Sequence, residues 1–242
     1  MRFALWLSFL GERYHGWQIQ KNADSVQAHL EAALSLVFGE RIAVVGCSRT
    51  DAGVSAEEFC CHFDAARLFD PEKLPLALNA NLPADIAVFR ARLCEAPFHA
   101  RFDCRGKEYQ YRIWNSSCRS PFWENRAARI PRALSESALA EAARPFLGTH
   151  DFSSFMAKGS EVEGTVRTVR RFEVVRDGEL VTFSVEGDGF LYHQVRIMVG
   201  TLLALCDGKL SLPLPEIIEK HDRRFAGPTA PAEGLLLKKV FY

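Results

Sequence analysis

Strand-like runs and helix-like runs alternate along this chain, and that alternation predicts an α+β fold of two β-α-β-β halves. Short apolar runs such as "FALWLSFL" (3–10) read as strands, while Ser25–Phe38 carries apolar residues at helical spacing. Asp177–Gly178, set between two β-type runs, signals a hairpin and so an antiparallel pair, which separates α+β from a doubly wound parallel sheet. The rhythm of the first half recurs in the second with no low-complexity linker between them, although no sequence repeat is visible. The division expected is 1–105 and 106–242.

Each element has its own warrant. In Ser25–Phe38, Ser25 can cap the helix, and Val26, Leu30, Ala33, Leu34 and Val37 form the apolar stripe. Strands are predicted at 41–47 and 58–63, a short helix over Pro71–Leu78, and a strand over Ile86–Leu93. Lys107–Trp114 alternates, with Tyr109, Tyr111 and Ile113 on one face. A helix follows over Ser135–Leu147, then strands over Val166–Arg176 and Leu180–Glu186. A long apolar helix spans about Leu191–Cys206, a short one lies near Leu214–Lys220, and a strand over Leu235–Phe241 closes the chain.

Composition bounds the function. With 242 residues, 48% hydrophobic and 25% charged, the chain is long enough for one large core or two small ones. No apolar run reaches the ~20 residues of a membrane span, and the N-terminus lacks a signal-peptide cleavage pattern. Seven cysteines at irregular spacing, without a C-x-x-C, read as reduced thiols of a cytoplasmic protein. A zinc site from Cys60, Cys61 and His62 is the sharper alternative, but neighbouring strand residues point to opposite faces. Formal net charge is zero, which argues against a generic polyanion binder. Arginine nonetheless makes up 22 of the 30 basic residues, concentrated at Arg119–Arg132 and Arg167–Arg176. Each stretch reads equally well as a phosphate track or as a solvated face.

Two places carry chemistry. In "GCSRTDAGVSAEEFCCHF" (46–63), a short connection between strand-type runs holds Arg49 and Asp51 two residues apart, followed by Gly53, which permits a sharp turn. Arg196 is the only formally charged residue between Asp188 and Asp207 and has no acidic neighbour at i±3 or i±4. A buried guanidinium without a partner costs several kcal/mol, so Arg196 either snorkels to the surface or pairs with a carboxylate from elsewhere. Pairing with Asp51 would keep that carboxylate ionised, as a nucleophilic aspartate requires.

These residues carry a resemblance. "SRTDAGVSA", together with "YHGWQIQ", "FHARFDCRGKEYQYRIWN", "GDGFLYHQVRIMVGTLL" and "TAPAEGLLLKKVFY" in the same order, resembles the tRNA pseudouridine synthase A family over essentially the whole chain. The resemblance implies two ferredoxin-like β-α-β-β halves forming one mixed, mainly antiparallel sheet with helices on one side and an active-site cleft between the halves. The first half would carry the catalytic-aspartate loop, and the second the pocket tyrosine and the partner arginine.

It further implies that Asp51 is the catalytic aspartate, attacking C1′ of the ribose or C6 of the uracil. Tyr109 matches the tyrosine that stacks on the base and helps to remove the C5 proton, with Tyr111 its same-face neighbour. Arg196 matches the arginine paired with the carboxylate, and Arg49 the one that enters the helix as the base leaves. Extrusion of a paired uridine costs a few kcal/mol, which an arginine and an aromatic ring can offset. The implied substrate is uridine at positions 38, 39 and 40 of the tRNA anticodon stem-loop. Its enzyme would be a homodimer with no cofactor, no metal and no membrane association.

This sequence departs from the family at three positions: Ser55 stands for a histidine, Ser48 for a glycine and Ile197 for an asparagine. His99 and Arg101 read either as RNA contacts or as a structural turn. Competing functions are a glycosidase-like hydrolase with Asp51 as nucleophile, a non-catalytic RNA-binding protein, and a pseudouridine synthase acting on another RNA. The first needs a second carboxylate that no motif nominates.

Overall fold

A computed structural model describes residues 1–94, 98–159, 162 and 164–242. The chain forms two compact units, Met1–Arg105 with Leu237–Tyr242, and Gly106–Leu236. The second half was expected to run to Tyr242. Its last residues instead lie in the first unit, where Arg105 N donates to Phe241 O at 2.8 Å and Tyr242 Oη donates to Ala100 O at 2.7 Å.

In the first unit, β1 (Arg2–Phe9) lies between β4 (Ile86–Cys94) and β3 (Ser55–Asp64), antiparallel to both. The short β2 (Val44–Gly46) pairs antiparallel with the far end of β3, and β10 (Leu235–Phe241) also borders β3. Phe3 to Leu7 are buried in succession, so β1 is covered on both faces, as its unbroken apolar run requires. Helix α1 (Val26–Phe38) starts where Ser25 Oγ accepts from Ala28 N and ends at Gly39, whose φ of 72° makes the left-handed cap. Its buried stripe is Val26, Leu30, Ala33, Leu34 and Phe38; Phe38 takes the place expected for Val37 because it sits four residues beyond Leu34. Helix α2 (Leu74–Asn79) packs on β4. The strand expected at 41–47 is only three residues long, whereas the one expected at 58–63 starts earlier, at Ser55.

In the second unit, β5 (Gly106–Trp114), β9 (Leu180–Gly187), β8 (Val166–Asp177) and β7 (Gly148–Asp151) run in that order, each antiparallel to the next. The two-residue β6 (Ala128–Arg129) pairs parallel with β5. Asp177 faces Leu180 across the β8–β9 hairpin, and Gly178 adopts the φ of 57° that a tight hairpin turn needs. Helix α3 (Glu136–Ala143) packs on β8 and ends before Pro145, which forces the 3-10 turn Arg144–Phe146 in place of the longer helix expected. Helix α4 (Gln194–Cys206) packs on α3 and β5, and α5 (Leu214–Glu219) lies near β7.

The order strand, helix, strand, strand recurs: β1, α1, β2, β3 in one unit and β5, α3, β8, β9 in the other. In each, the last strand lies between the first and the third. The fold is α+β with mixed, mainly antiparallel pairing, built on two β-α-β-β units. Among the described residues no helix is long and apolar enough to cross a membrane.

Candidate active site

The first unit presents Asp51 on the connection between β2 and β3. Cys47 N donates to Cys60 O at 2.8 Å and closes the strand pairing just before the loop. Val54 N donates to Asp51 O at 3.1 Å, and Gly53, at i+2 of that turn, has φ 79°. A residue with a Cβ resists that φ, so the glycine expected to permit a turn does so. Thr50 is buried, Asp51 half-buried and Arg49 exposed, so the loop directs its arginine to solvent and keeps its aspartate partly sheltered.

The segment "YHGW" holds this loop in place. Gly53 N donates to Tyr14 O at 3.2 Å, and Trp17 N donates to Thr50 O at 3.4 Å. Gly16 has φ 91°, and a Cβ there would lie 2.2 Å from Thr50 O, so only glycine lets the two backbones approach. Trp17 stacks on Phe59 of β3 with centroids 4.1 Å apart and covers Gly46. Tyr14 Oη donates to Asp85 Oδ1 at 2.6 Å; burial and that carboxylate push its phenol well above the ordinary tyrosine range. In the sequence, these residues stand out only through the family resemblance. Their work as a brace for Asp51 depends on contacts across about 35 positions, which no local pattern reveals.

Ser55, where the family has histidine, accepts from Gly11 N at 3.0 Å and so ties the start of β3 to the end of β1. Gly11 is itself tight against this loop: a Cβ there would lie 2.2 Å from Val54 O. His99 organises a turn, accepting at Nδ1 from Arg101 N and Phe102 N, both at 3.2 Å, and stacking on Phe102. Behind it, buried His62 accepts from Ala100 N at 3.1 Å, and burial pushes its ring down to about 4. Burial also raises the thiols of Cys60 and Cys61, away from the thiolate a metal ligand must be. Among the described residues no three His, Cys, Asp or Glu side chains are grouped to hold a metal ion.

The second unit presents Tyr109, Tyr111 and Arg196. Tyr109 and Tyr111 share a face of β5, opposite Val185 and Phe183 of β9. Tyr111 is fully buried and donates to Pro231 O at 2.9 Å, with its ring so close to Gly234 that a Cβ there would lie 2.5 Å from Cζ. Burial, then the charge of Glu233, pushes its phenol far up. Tyr109 is buried as well, and its ring meets Phe190 edge-on at 5.3 Å.

Arg196 lies in the first turn of α4 and is half-buried. Its Nε donates to Ala230 O at 2.8 Å, and Ala230 N donates back to Arg196 O at 3.1 Å. Snorkelling does not describe this side chain, since part of the guanidinium is bound to backbone. The helix starts at Gln194, not Leu191: Gln194 Oε1 accepts from Leu191 N at 2.8 Å, and His193 takes φ 60°. Both the clasp on Arg196 and the one on Tyr111 come from "TAPAEG", pressed so closely on α4 that a Cβ at Gly200 would lie 1.8 Å from Pro228 O. Ile197 is wholly buried and belongs to the core.

Of the arginine-rich stretches, much is already engaged. Arg171 pairs with Glu108 at 3.0 Å and Glu173 at 3.2 Å, Arg132 pairs with Asp207 at 2.8 Å, and Arg176 donates to Asn115 Oδ1 and Leu134 O.

The family model described as tRNA pseudouridine synthase matches residues 6–103 and 142–242, which include the Asp51 loop, β9 and α4. Curated relatives agree over the full length. The tRNA pseudouridine synthase A of Clostridium acetobutylicum is 43% identical over 239 residues, covering 98% of each chain. That of Methylacidiphilum infernorum is 43% identical, covering 99% of this chain and 95% of its own. That of Geobacillus kaustophilus is 42% identical, covering 98% and 92%. A braced aspartate loop, a β-strand tyrosine and a clasped helix arginine thus stand in a chain that belongs to the tRNA pseudouridine synthase family.

Proposed function

We propose that this protein isomerises uridine to pseudouridine in tRNA, with Asp51 as the nucleophile. The observation that supports it most is the braced loop, in which three hydrogen bonds and the Gly16–Thr50 approach fix the backbone that carries half-buried Asp51 beside an exposed Arg49. Such fixing is what positional catalysis needs.

Asp51 attacks C1′ or C6, and the N1–C1′ bond breaks. The uracil turns within the pocket and forms a C5–C1′ bond; the bond to Asp51 breaks and returns the free carboxylate, the proton at C5 leaves and N1 gains one. Atoms and electrons balance without cofactor or metal. Tyr109 stacks on the base and helps to remove the C5 proton. Arg196 is the cation that keeps Asp51 ionised. Arg49 fills the space left by the extruded base, and Ala52–Gly53 leave room for the nucleotide.

The target is the anticodon stem-loop at positions 38 to 40, and the working form is a cytoplasmic homodimer. Two copies of a modest arginine surface form one basic channel, which reconciles zero net charge with RNA binding. A monomer by light scattering at micromolar concentration would count against the dimer.

The test is tritium release from tRNA labelled at C5 of uridine, with wild type and Asp51→Asn side by side and no cofactor added. Release by wild type alone, without free uracil, supports isomerisation. Free uracil would indicate a hydrolase, and silence from both despite binding would indicate an RNA binder or another RNA substrate.

A further inference from the structure

An open concavity of about 630 Å³ lies in the second unit, lined by Lys158, by Asp222, Arg223 and Arg224, and by the 226–228 backbone. The backbone at Asp222 and next to Lys158 is held in place. Asp222 N donates to the buried Ser154 Oγ at 2.9 Å, and Ala157 N donates to Tyr192 O at 3.0 Å. The floor is equally fixed, since Gly227 N donates to Thr201 Oγ1 of α4 at 2.9 Å.

The charges are unequal in this concavity. Arg224 grips the Asp222 carboxylate with Nε at 2.9 Å and 3.1 Å and Nη2 at 2.6 Å, so that pair cancels. Arg223 has no carboxylate among the described residues. It is half-buried, and it donates only to neutral oxygens, Ala226 O and Thr229 Oγ1, both at a long 3.3 Å. Burial presses its charge toward lower pKa with no anion to oppose it. Lys158, exposed, also lines the concavity and adds a second positive charge. A desolvated guanidinium with slack hydrogen bonds suits a bidentate oxyanion, and a phosphate diester fits both its geometry and its charge.

The location matters as much as the charge. Thr229, which Arg223 bonds, is adjacent in the chain to Ala230, which Arg196 bonds. A phosphate held by Arg223 would therefore be registered against the helix that carries Arg196. We infer that Lys158 and Arg223 form a backbone-phosphate clamp for the RNA substrate, one that positions the strand flanking the reacting uridine. The clamp rests on the function proposed above and names part of how that substrate is held.

The test uses the full-length protein and unlabelled and C5-tritiated tRNA. Binding is measured from 50 to 300 mM KCl for wild type, Lys158→Gln, Arg223→Gln and Arg223→Lys, with thermal unfolding as a fold check. Lys158 is exposed, so its variant keeps the proposal testable even if Arg223→Gln folds poorly. Each glutamine variant should lower the slope of log K against log salt by about 1 and weaken binding roughly 5- to 8-fold near 0.1 M salt. Arg223→Lys should restore most of the slope. Unchanged slopes in Lys158→Gln and Arg223→Gln would overturn the clamp. So would a site that takes up inorganic phosphate alone, with tRNA binding indifferent to both substitutions. If wild type binds tRNA but releases no tritium, the proposed reaction fails while the slopes still decide the clamp.

Discussion

Arg196 and Ala230 bond each other twice, through Arg196 Nε to Ala230 O at 2.8 Å and Ala230 N to Arg196 O at 3.1 Å. The pair fixes both the backbone and the planar head of the arginine, so the guanidinium has one orientation built in before any substrate arrives. Lysine has no Nε donor in that position and cannot repeat it. Arg196→Lys should therefore keep the charge but cut kcat by at least about 10-fold, while Arg196→Ala should also lower stability by roughly 1.5–3 kcal/mol. Tritium release and urea unfolding on the same preparations measure the two effects.

Asp51→Asn removes the nucleophile and little volume. Turnover should vanish while tRNA affinity stays within about 2-fold of wild type. Filter binding beside tritium release checks this, and residual turnover in the variant would remove Asp51 from the chemistry.

Tyr109 and Tyr111 offer a matched pair. Tyr111→Phe removes the part-buried hydrogen bond to Pro231 O and should cost roughly 0.5–1.5 kcal/mol of stability. Tyr109→Phe keeps the ring packing and removes the hydroxyl, so it should slow catalysis at temperatures where the variant stays fully folded. A reversed pattern, with Tyr111→Phe catalytically dead and stable, would reassign the pocket tyrosine.

Gly16→Ala meets both a φ of 91° and a carbonyl 2.2 Å from the new methyl. Backbone strain of roughly 1–3 kcal/mol is expected, and relief must come by shifting Thr50, next to Asp51. The variant should lose activity by more than its loss of stability explains, seen as a fall in kcat at temperatures where it is fully folded.

His62 predicts a pH dependence of stability. Its folded value, about 4, lies below the ordinary 6.5 of an unfolded histidine. Above pH 6.5 both states are neutral there and nothing changes. As pH falls from 6.5 toward 4 the unfolded state takes the proton first, so stability drops, by about 2 kcal/mol between pH 7.5 and 5. His62→Asn, which keeps an acceptor near Ala100 N, should flatten that drop in urea titrations; an unaltered drop would place its source elsewhere.

What the sequence by itself determined was local. Five consecutive buried residues in β1, the Ser25 cap, the Asp177–Gly178 hairpin and the R-T-D-A-G turn all follow from neighbours in the chain, and all stand in the structure. The quoted motifs likewise pointed to the right family, because each is a short run of residues. The sequence left Tyr109 against Tyr111 open on chemistry and gave Arg196 two fates. It treated His99 as a contact or a turn, and it missed β6 and β7, too short to show a period.

Tertiary structure decided which groups these side chains bond. The hydroxyl of Tyr111 is consumed by a carbonyl 120 positions away, and Arg196 is clasped by one 34 positions away. Thr50 is braced by a glycine 34 positions before it. Hydrogen-bond satisfaction and close backbone approach are settled between residues that meet only after folding, so no periodicity along the chain can encode them.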